Sequence, residues 1–403
     1  MRLVHLSDLH LGYRQFQRQT AAGINQREAD IATVFRGVID RVIALAPEVV
    51  VLAGDIFHNV RPPNPAILHA WDQFARLTQA LPGAIVVMVA GNHDSPRSAE
   101  TGCILRLFTP LGIHVVDGAA QRLAFPDRDL SILAVPDTGV PQQVALDPDP
   151  SASRNVLVLH GEVAGILPAS AANAERTAVE ITPEELGAAR WAYVALGHYH
   201  VFRQVAPNAY YSGSLDYTSA NPWGELAEEK AAKLPGKGFL EYDLDTGKRT
   251  FHPIKPARPL VDLPPIAGRG LSAADLDAAI TASVARIPGG IDDKIVRQVV
   301  RDVPRHVARE IDHRMLRDLK KRALHFHLDT RRPDILRVAV GQGAAGRRAS
   351  LMETVRDKLR ARPLPAGIDR DRLVERGLHY LADAEEREGA TATGLAIAAE
   401  PDA

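Results

Sequence analysis

The sequence predicts a mixed, layered α/β domain over residues 1–255. Short runs of apolar, often β-branched residues alternate with longer stretches whose apolar residues recur every three or four positions, which is typical of strands separated by covering helices. Several early runs consist almost entirely of Val, Leu and Ile, which indicates strands buried on both faces. Beyond residue 191 the apolar runs are short and separated by turn residues, which favours antiparallel hairpins and hence mixed sheets.

The predicted elements of this domain follow in chain order. We expect strands at 2–7, 48–53, 84–90, 114–116, 130–135, 155–160 and 191–197, with helices at 27–46 and 65–81 between the first three. Hairpin strands are expected at 201–205, 210–213, 238–242 and 249–253. The Pro-rich run 253–265 then predicts a domain boundary.

A second, small α+β unit is predicted over residues 256–330. Its expected elements are a helix at 272–286, a strand at 294–303, a helix at 305–322 and a strand at 324–329. Residues 331–348 are predicted to be a linker, and residues 349–388 to form two amphipathic helices, at 351–360 and 370–386. The Ala-, Gly- and Thr-rich segment 389–403 is predicted to be a flexible tail.

Composition restricts the class of protein. The 403 residues are 46% hydrophobic and 24% charged, as in ordinary globular proteins. A formal net charge of -1 excludes a global positive field, so any nucleic-acid surface has to be local. Cys103 is the only cysteine, which excludes a disulfide framework and a multi-thiolate metal site. We expect a cytoplasmic protein without a membrane segment, because no apolar run approaches the ~20 residues of a span and no signal peptide is evident.

Five short polar motifs directly follow predicted strands. They are Asp8-Leu9-His10, Gly54-Asp55-Ile56-Phe57-His58, Gly91-Asn92-His93-Asp94, His160-Gly161 and Gly197-His198-Tyr199-His200. Ligand sites of open α/β sheets lie outside the carboxyl ends of the strands, so we expect these motifs to converge. One such motif alone would usually be a turn or a hydrogen-bonded histidine, but five in this order indicate a single site.

The donor types in these motifs predict a two-metal centre. Two carboxylates, one amide oxygen and four imidazoles suit Mn, Fe, Zn or Mg, and they are too many for one ion but match two ions that share a bridging carboxylate. In extended backbone, Asp8 and His10 would lie on one face, as would His198 and His200. A pair of ions of this kind activates water and clamps both oxygens of an in-line phosphoryl displacement, so the predicted chemistry is phosphate ester hydrolysis.

The motifs DLHLG, GDIFH, GNHD, VLVLHG and GHYH, in this order, resemble those of the calcineurin-like metallophosphoesterases. GDIFH together with the early YRQF is similar to the SbcD-type DNA-repair nucleases. The resemblance is strong over residues 1–220 and weaker in the second unit. It implies a two-sheet α/β sandwich with helices outside, a capping domain over 256–330 that shapes DNA access, and metal-dependent exonuclease and endonuclease activity on DNA.

The resemblance also implies roles for individual residues. One metal ion would be held by Asp8, His10, Asp55 and His200, and the other by Asp55, Asn92, His160 and His198, with Mn²⁺ the usual metal of the family. His93 would protonate the leaving oxygen or stabilise the developing charge, and His58 would orient His93. The alternative for His58 is a packing role at a helix start, and Asp94 is expected in a turn or behind the ligands.

DNA contacts are expected in two places. The resemblance suggests Tyr13 and Arg14. Independently, residues 291–350 contain fifteen Lys or Arg against eight Asp or Glu, and Lys320, Lys321 and Arg322 could contact the phosphate backbone. The alternative is a solvated helix whose basic side chains pair with the interspersed acids.

The resemblance further implies partners besides DNA. The C-terminal helices would bind the coiled coil of an SbcC-like, SMC-family ATPase, unless their apolar stripes pack on the parent domain. A homodimer is expected through helices around 66–77 and 100–110, and a nucleoid-associated location in the cytoplasm. Two other functions stay open at this point: a phosphodiesterase or phosphatase acting on small molecules or phosphoproteins, and a DNA-end-binding scaffold in which hydrolysis is incidental.

Overall fold

A computed structural model of the chain describes residues 1–96, 102–139, 144–167, 177, 179–333, 351–361 and 369–380. It divides into two compact units, residues 1–333 and 334–403. Of the predicted linker only 331–333 is described, and the predicted tail 389–403 lies outside the described residues. No helix among the described ranges combines the length and the apolar character that crossing a membrane requires.

The first part of the larger unit carries fourteen strands and four helices, whose bounds follow. The strands are β1 (Arg2–Leu6), β2 (Val49–Ala53), β3 (Ile85–Val89), β4 (His114–Val116), β5 (Gln121–Phe125), β6 (Leu130–Val135), β7 (Arg154–His160), β8 (Glu162–Val163), β9 (Glu180–Ile181), β10 (Tyr193–Gly197), β11 (Arg203–Ala206), β12 (Ala209–Tyr211), β13 (Gly238–Asp243) and β14 (Arg249–Pro253). The helices are α1 (Gln26–Leu45), α2 (Asn64–Ala80), α3 (Pro183–Leu186) and α4 (Pro222–Ala231).

Two six-stranded mixed sheets form the body of this unit. Their strand orders are β14-β13-β1-β2-β3-β4 and β11-β12-β10-β7-β6-β5. In the first sheet β1 to β4 are parallel, and β13 pairs antiparallel with both β1 and β14. In the second, β6, β7, β10 and β12 are parallel, and β5 and β11 are antiparallel edges. The predicted mixed α/β class and the two-sheet architecture are thereby confirmed.

Side-chain alternation along the strands divides the core into layers. Leu3, Val51 and Val87 of the first sheet face Val156 and Ala195 of the second in one buried cluster. The opposite face of the first sheet packs against the apolar faces of α1 and α2 in another cluster. β1, β2 and β3 are parallel to one another in the first sheet, and β7 and β10 are parallel in the second. Because parallel strands end at the same edge of a sheet, the carboxyl ends of each set lie together.

Residues 256–330, predicted as a separate α+β unit, lie within the larger unit of residues 1–333 and form a small core of their own. It contains β15 (Leu260–Ala267), α5 (Ala273–Ala285), β16 (Ile295–Arg301), α6 (Arg305–Glu310), α7 (His313–Arg322) and β17 (His325–Thr330). The three strands are parallel in the order β15-β16-β17, and residues of all three helices join them in one buried cluster.

Two details of this region differ from expectation. Part of the Pro-rich run forms the edge strand β15, and its pairing register shifts between Leu263 and Ile266, so Pro264 and Pro265 lie at an irregularity that needs no ladder donor. The helix predicted at 305–322 is broken into α6 and α7. Asp312 caps α7, since its side chain accepts a hydrogen bond from the Arg314 amide.

The smaller unit contains α8 (Leu351–Ala361) and a helical stretch at 370–380. The helical backbone at Gly377 passes close to the Leu359 side chain, so that a Cβ at residue 377 would lie 2.6 Å from it. The two stretches therefore pack against each other as a helical pair. The remainder of the predicted 349–388 helical region lies outside the described residues.

Candidate metal centre

The loops that follow β1 and β2 are joined by backbone hydrogen bonds. The Asp8 amide donates to the Gly54 carbonyl at 3.0 Å, and the His10 amide donates to the Asp55 carbonyl at 3.0 Å. The His198 amide donates to the Asp8 carboxylate at 3.0 Å. These contacts bring residues from three strand ends, far apart in sequence, to one place.

Four of the predicted ligands have unusual backbone conformations. The φ angles are 53° at Asp8, 46° at His10, 52° at Asp55 and 103° at His198. The expectation that Asp8 and His10 share a face through extended backbone is therefore wrong, because both lie on a left-handed turn. Positive φ is uncommon for residues with a Cβ, and such strain concentrates at functional sites.

Glycines let the ligand side chains approach the neighbouring backbone. A Cβ at Gly54, where φ is +90°, would lie 2.1 Å from Nδ1 of His160. A Cβ at Gly91 would lie 2.1 Å from Oδ1 of Asp55, and one at Gly197 would lie 1.7 Å from the Ala53 carbonyl oxygen. Each of these three motif glycines is thus required by close packing around the centre.

Asp8, His10 and His200 form the first donor group. One ligand atom from each lies within 4.8 Å of the others, and all three residues are buried. The Nε2 atoms of His10 and His200 are 2.9 Å apart. Ser7 Oγ donates a hydrogen bond to Asp8 Oδ2 at 2.6 Å, which orients that carboxylate.

Asp8, Asp55 and His160 form a second donor group by the same criterion. His160 Nδ1 donates to the Ala53 carbonyl at 2.8 Å, so the Nε2 of the neutral ring carries a lone pair. That Nε2 lies 3.0 Å from Asn92 Oδ1, and His198 Nδ1 lies 3.3 Å from the same oxygen. Asn92, His160 and His198 therefore converge on one point.

Asp55 lies between the two groups. Its Oδ1 accepts a hydrogen bond from the His93 amide at 3.0 Å. Its Oδ2 is buried and has no hydrogen-bond partner among the described residues, at 3.7 Å from His10 Nε2 and 3.6 Å from His160 Nε2. A buried carboxylate oxygen is costly unless something compensates its charge, and oxygen and imidazole donors are what divalent cations bind. The residues present therefore fit two divalent ions with Asp55 between them.

The electrostatics of the cluster also favour added positive charge. Burial, reinforced by the surrounding histidines, holds the pKa of His10 well below its usual value, so that its ring is a neutral donor. Burial raises the pKa of Asp55 against the attraction of His160. Burial opposes protonation of His160, but the attraction of Asp55 and Asp8 outweighs it and raises the His160 pKa.

His93 and His58 lie beside the buried donors and are half-buried. His93 Nδ1 donates to the His58 carbonyl at 2.8 Å, and the two rings stack with centroids 5.1 Å apart. His58 Nδ1 lies 3.3 Å from His10 Nδ1. His58 thus contacts both His93 and a predicted ligand, which favours the orienting role over simple packing.

Asp94 supports the loops and does not face the donor groups. Its carboxylate accepts hydrogen bonds from the amides of Ile56, Phe57 and Gly91 at 2.9–3.0 Å. Burial and the nearby Asp55 carboxylate raise the pKa of Asp94 to about 7. The expectation of a turn residue behind the ligands agrees with this position.

Comparisons with known proteins point to one family. The model of the calcineurin-like phosphoesterase family matches residues 1–168, the part that contributes Asp8, His10, Asp55, Asn92 and His160. Residues 1–168 are therefore similar to a calcineurin-like phosphoesterase domain. The convergent donors of this region lie where its β-strands end.

Curated relatives to which the chain is similar are called DNA double-strand break repair protein Mre11. The chain is 28% identical over 255 residues to that of Methanococcus maripaludis, covering 60% of this chain and 63% of the relative. It is 24% identical over 395 residues to that of Methanosarcina acetivorans, covering 88% and 61%. It is 35% identical over 118 residues to the protein of Methanocaldococcus jannaschii, covering 29% of this chain and 30% of that relative. The alignments thus span less than two thirds of these relatives.

A buried ionic group behind the phosphoesterase centre was missed by sequence reasoning. Glu225 Oε1 lies 3.6 Å from His200 Nδ1, and Glu225 forms an ion pair with Lys237. Lys237 Nζ also donates to the His200 carbonyl at 2.8 Å and lies 3.3 Å from Glu229. Burial would raise the pKa of Glu225, but the attraction of Lys237 outweighs it and lowers the pKa to about 2. Only the pair of glutamates one helical turn apart, Glu225 and Glu229, could have signalled this group.

The predicted DNA contacts occupy different environments. Tyr13 is buried, with 4% of its surface exposed, and its ring contacts His58 edge-on. Its predicted role as a DNA contact is therefore not supported, because the loop folds its ring into the centre. Arg14 is exposed but pairs with Glu28 at 2.6 Å. Lys320 and Lys321 are exposed, whereas Arg322 forms a two-point contact with Asp292.

Proposed function

We propose that this chain is a metal-dependent DNA nuclease subunit that hydrolyses phosphodiester bonds and acts with an SbcC-like, SMC-family ATPase in the cytoplasm. The observation that carries the proposal is the position of Asp55, whose partnerless buried oxygen lies between imidazole nitrogens of two donor groups. Hydrolysis of DNA, as opposed to another phosphate ester, is supported by the similarity to the Mre11 relatives.

Two divalent ions, in the cell Mn²⁺, would be held by the two predicted sets. Asp8, His10, Asp55 and His200 would bind one, and Asp55, Asn92, His160 and His198 the other. When bound, such ions lower the pKa of water and neutralise charge on the phosphate oxygens. The chain itself orients these donors: Ser7 orients Asp8, the Ala53 carbonyl sets the tautomer of His160, and Lys237 anchors the His200 backbone.

His93 is suited to supply the proton to the leaving oxygen. Its Nδ1 is used by the His58 carbonyl, so the exchangeable proton of the imidazolium is on Nε2. Its amide binds Asp55 Oδ1, which fixes the ring next to the donors, within reach of His10 and His58. His58 holds this arrangement through its carbonyl and by ring stacking.

For DNA, we propose phosphate contacts by Lys320 and Lys321. Both side chains are exposed. Neither lysine forms an ion pair with a described residue, so both are available to phosphates, whereas Arg14 is engaged by Glu28 and Arg322 by Asp292.

The ATPase contact is proposed for the helical pair that contains α8. Residues 351–361 and 370–380 pack through Leu359 and Gly377, and Tyr380 is 61% exposed. An amphipathic helix pair of this kind can bind a coiled coil. Deleting residues 349–403 should abolish co-purification with the ATPase while metal-dependent nuclease activity persists.

Self-association is proposed for the face formed by α2 and the 3₁₀ segment Ile104–Leu111. The three large hydrophobic side chains exposed among the described residues are Leu68, Leu107 and Tyr380, and the first two belong to this face. Residues 100 and 101 of the predicted surface lie outside the described residues. Leu68→Glu should shift the protein to monomer in light scattering if this face forms a dimer.

The nuclease proposal is tested with the full chain, stripped of metal and reloaded with Mn²⁺, on end-labelled duplex DNA. Wild type should cleave, and Asp55→Asn should lose at least about 100-fold, because even residues behind metal ligands contribute 10–100-fold. Asp127→Asn, which changes an exposed carboxylate in the turn between β5 and β6, is the matched control.

Other outcomes favour the other functions. Rapid cleavage of bis(p-nitrophenyl) phosphate with intact DNA would indicate a small-molecule phosphodiesterase. Wild-type DNA cleavage by His93→Ala would refute the role of His93. Tight DNA binding without cleavage of either substrate would indicate the scaffold.

A further inference from the structure

A groove of about 860 Å³ lies between residues 16–18, which follow the loop of Asp8 and His10, and the three-stranded sheet β15-β16-β17. Phe16, Gln17 and Arg18 form one wall, and α7 with β17 form most of the other. None of its fifteen lining residues is acidic, whereas Arg18, Lys320 and Lys321 contribute positive charge. A lining of this composition is complementary to a polyanion.

Aromatic rings line the same groove. Phe16 and His325 are stacked with centroids 3.9 Å apart and planes inclined by 13°, and His327 lies parallel to His325 at 6.2 Å. His325 and His327 project from the same face of β17, while Phe326 between them is buried in the core. Burial and the neighbouring His327 lower the pKa of His325 to about 4, so its ring is neutral and offers an apolar face at physiological pH.

Hydrogen bonds hold Phe16 in a strained backbone conformation. Its φ is +62°, which is unusual for an aromatic residue. The Asn25 side chain donates to the Phe16 carbonyl at 2.9 Å, and Arg18 anchors the next residues through Asp293 and the Lys321 carbonyl. Strain of this kind is retained where a side chain has to point in a particular direction.

The groove also lies close to the metal centre. The Tyr13 ring contacts His58 at 4.9 Å between centroids, and Phe16 follows Tyr13 by three residues. Three residues of extended chain span at most about 11 Å. A strand bound at the centre could therefore continue into the groove within a few nucleotides.

We propose that this groove binds unpaired nucleotides of a DNA strand, with bases continuing the Phe16–His325–His327 stack and phosphates contacting Lys320 and Lys321. Aromatic platforms beside basic side chains are the general means of binding single strands without reading sequence. Bases in a duplex are already stacked on their neighbours, so the platform favours frayed or single-stranded ends. This inference rests on the proposed nuclease function, because it assigns the groove to the substrate of that centre.

The test measures binding separately from cleavage. Anisotropy of a labelled oligo(dT) strand and of a blunt, hairpin-closed duplex is recorded with the full chain in EDTA, so that no hydrolysis occurs. Phe16→Leu and His325→Leu keep an apolar side chain but remove the aromatic face. Each should weaken oligo(dT) binding about 5- to 150-fold, the range for stacking of a base, and change duplex binding less than about threefold.

Two further variants separate stacking from charge and from folding. His325→Phe keeps an aromatic face and should retain wild-type oligo(dT) affinity. Lys320→Ala with Lys321→Ala should reduce the salt dependence of oligo(dT) binding by about 1.4 in log–log slope, for two phosphate contacts. Lys233→Ala with Lys248→Ala, which removes two exposed lysines elsewhere, should leave the slope unchanged.

Wild-type oligo(dT) affinity in both leucine variants would overturn the proposal, as would equal losses for oligo(dT) and duplex. Loss of affinity in His325→Phe equal to that in His325→Leu would also overturn it. Whether wild type cleaves DNA with Mn²⁺ is read in a separate assay, so failure of the nuclease proposal is recognised independently of binding in the groove.

Discussion

Replacing Lys237 by methionine should separate the stability of the fold from the organisation of the metal centre. Lys237 is 2% exposed and forms ion pairs with Glu225 and Glu229. It also donates to the His200 carbonyl, and its ammonium lies 4.6 Å from the Tyr217 ring centroid. Lys237→Met keeps much of the side-chain volume but leaves two buried carboxylates without their cation.

The expected destabilisation follows from that arrangement. Breaking a buried ion pair by removing one partner costs about 3–5 kcal/mol. With an unfolding entropy of about 2.1 cal/mol/K per residue, the unit of residues 1–333 unfolds with about 0.7 kcal/mol/K, so Tm should fall by about 4–7 °C. The double variant Glu225→Gln with Lys237→Met should restore at least about 1 kcal/mol, because it removes one of the two carboxylates that the single variant leaves buried without their cation.

Metal binding should behave differently from stability. In both variants the His200 carbonyl loses the hydrogen bond from Lys237, and in the double variant His200 also loses its charged neighbour Glu225, so Mn²⁺ affinity should fall about 10–100-fold. Calorimetric unfolding of the metal-free protein and titration with Mn²⁺ measure the two effects, with Lys230→Met, an exposed lysine of α4, as control. A single variant within 1 kcal/mol of wild type, or a double variant no more stable than the single one, would refute the reasoning. Unchanged Mn²⁺ affinity would show that the group does not position His200.

Further predictions address the packing, charge and metal content of the centre. Gly54→Ala should abolish Mn²⁺ binding measured by calorimetry and destabilise the fold by at least about 2 kcal/mol, because φ is +90° and the methyl group would meet His160. The control Gly37→Ala lies in open space on α1 and should stabilise the fold by about 0.5–1 kcal/mol in urea unfolding. The pKa of Glu225 is lowered to about 2 from its ordinary 4.5. The ionised Glu225 therefore stabilises the fold above pH 4.5, and this stabilisation is lost as pH falls towards 2. The difference in unfolding free energy between wild type and Glu225→Gln should shrink between pH 4.5 and 2 and stay constant above pH 4.5. Asn92→Asp adds a negative charge, and should bind Mn²⁺ at least as tightly while raising the KM for DNA; an unchanged KM would contradict the charge argument. Chelation should lower Tm in a scanning measurement, because ions that bind only the folded state stabilise it, and an unchanged Tm would count against bound ions.

The strands of the sandwich were predictable because their signal is local. β4, β6 and β14 begin and end where the apolar runs predicted, and the other predicted strands differ by at most two residues at either end. Buried parallel strands need continuous apolar runs, and those runs are visible without knowledge of partners. β5 was not predicted, since its residues are largely exposed and it exists as the antiparallel edge partner of β6.

The composition of the candidate centre was predictable for a topological reason, but its geometry was not. Parallel strands place their following loops at one edge, so motifs after five strands had to meet. Nothing in the spacing could indicate that Asp55 Oδ2 would be the oxygen without a partner, or that Glu225 and Lys237 would lie behind His200. Those contacts link segments separated by 12 to more than 100 positions, and they depend on how the two sheets pack.

The left-handed turns at the centre give an argument for function that does not depend on the motifs. Gly is the usual residue where φ is near +50°, and Asn, Asp and His tolerate it best among the others. Asp8, His10 and Asp55 occupy such positions, as Asp129, Asp293 and Asp302 do elsewhere, so the angle alone does not mark a site. The neighbouring hydrogen bonds from the Asp8 and His10 amides to the second loop hold this conformation at the centre. There the three residues bring two carboxylates and an imidazole close together, an arrangement that shared ligation of cations explains better than the requirements of the fold.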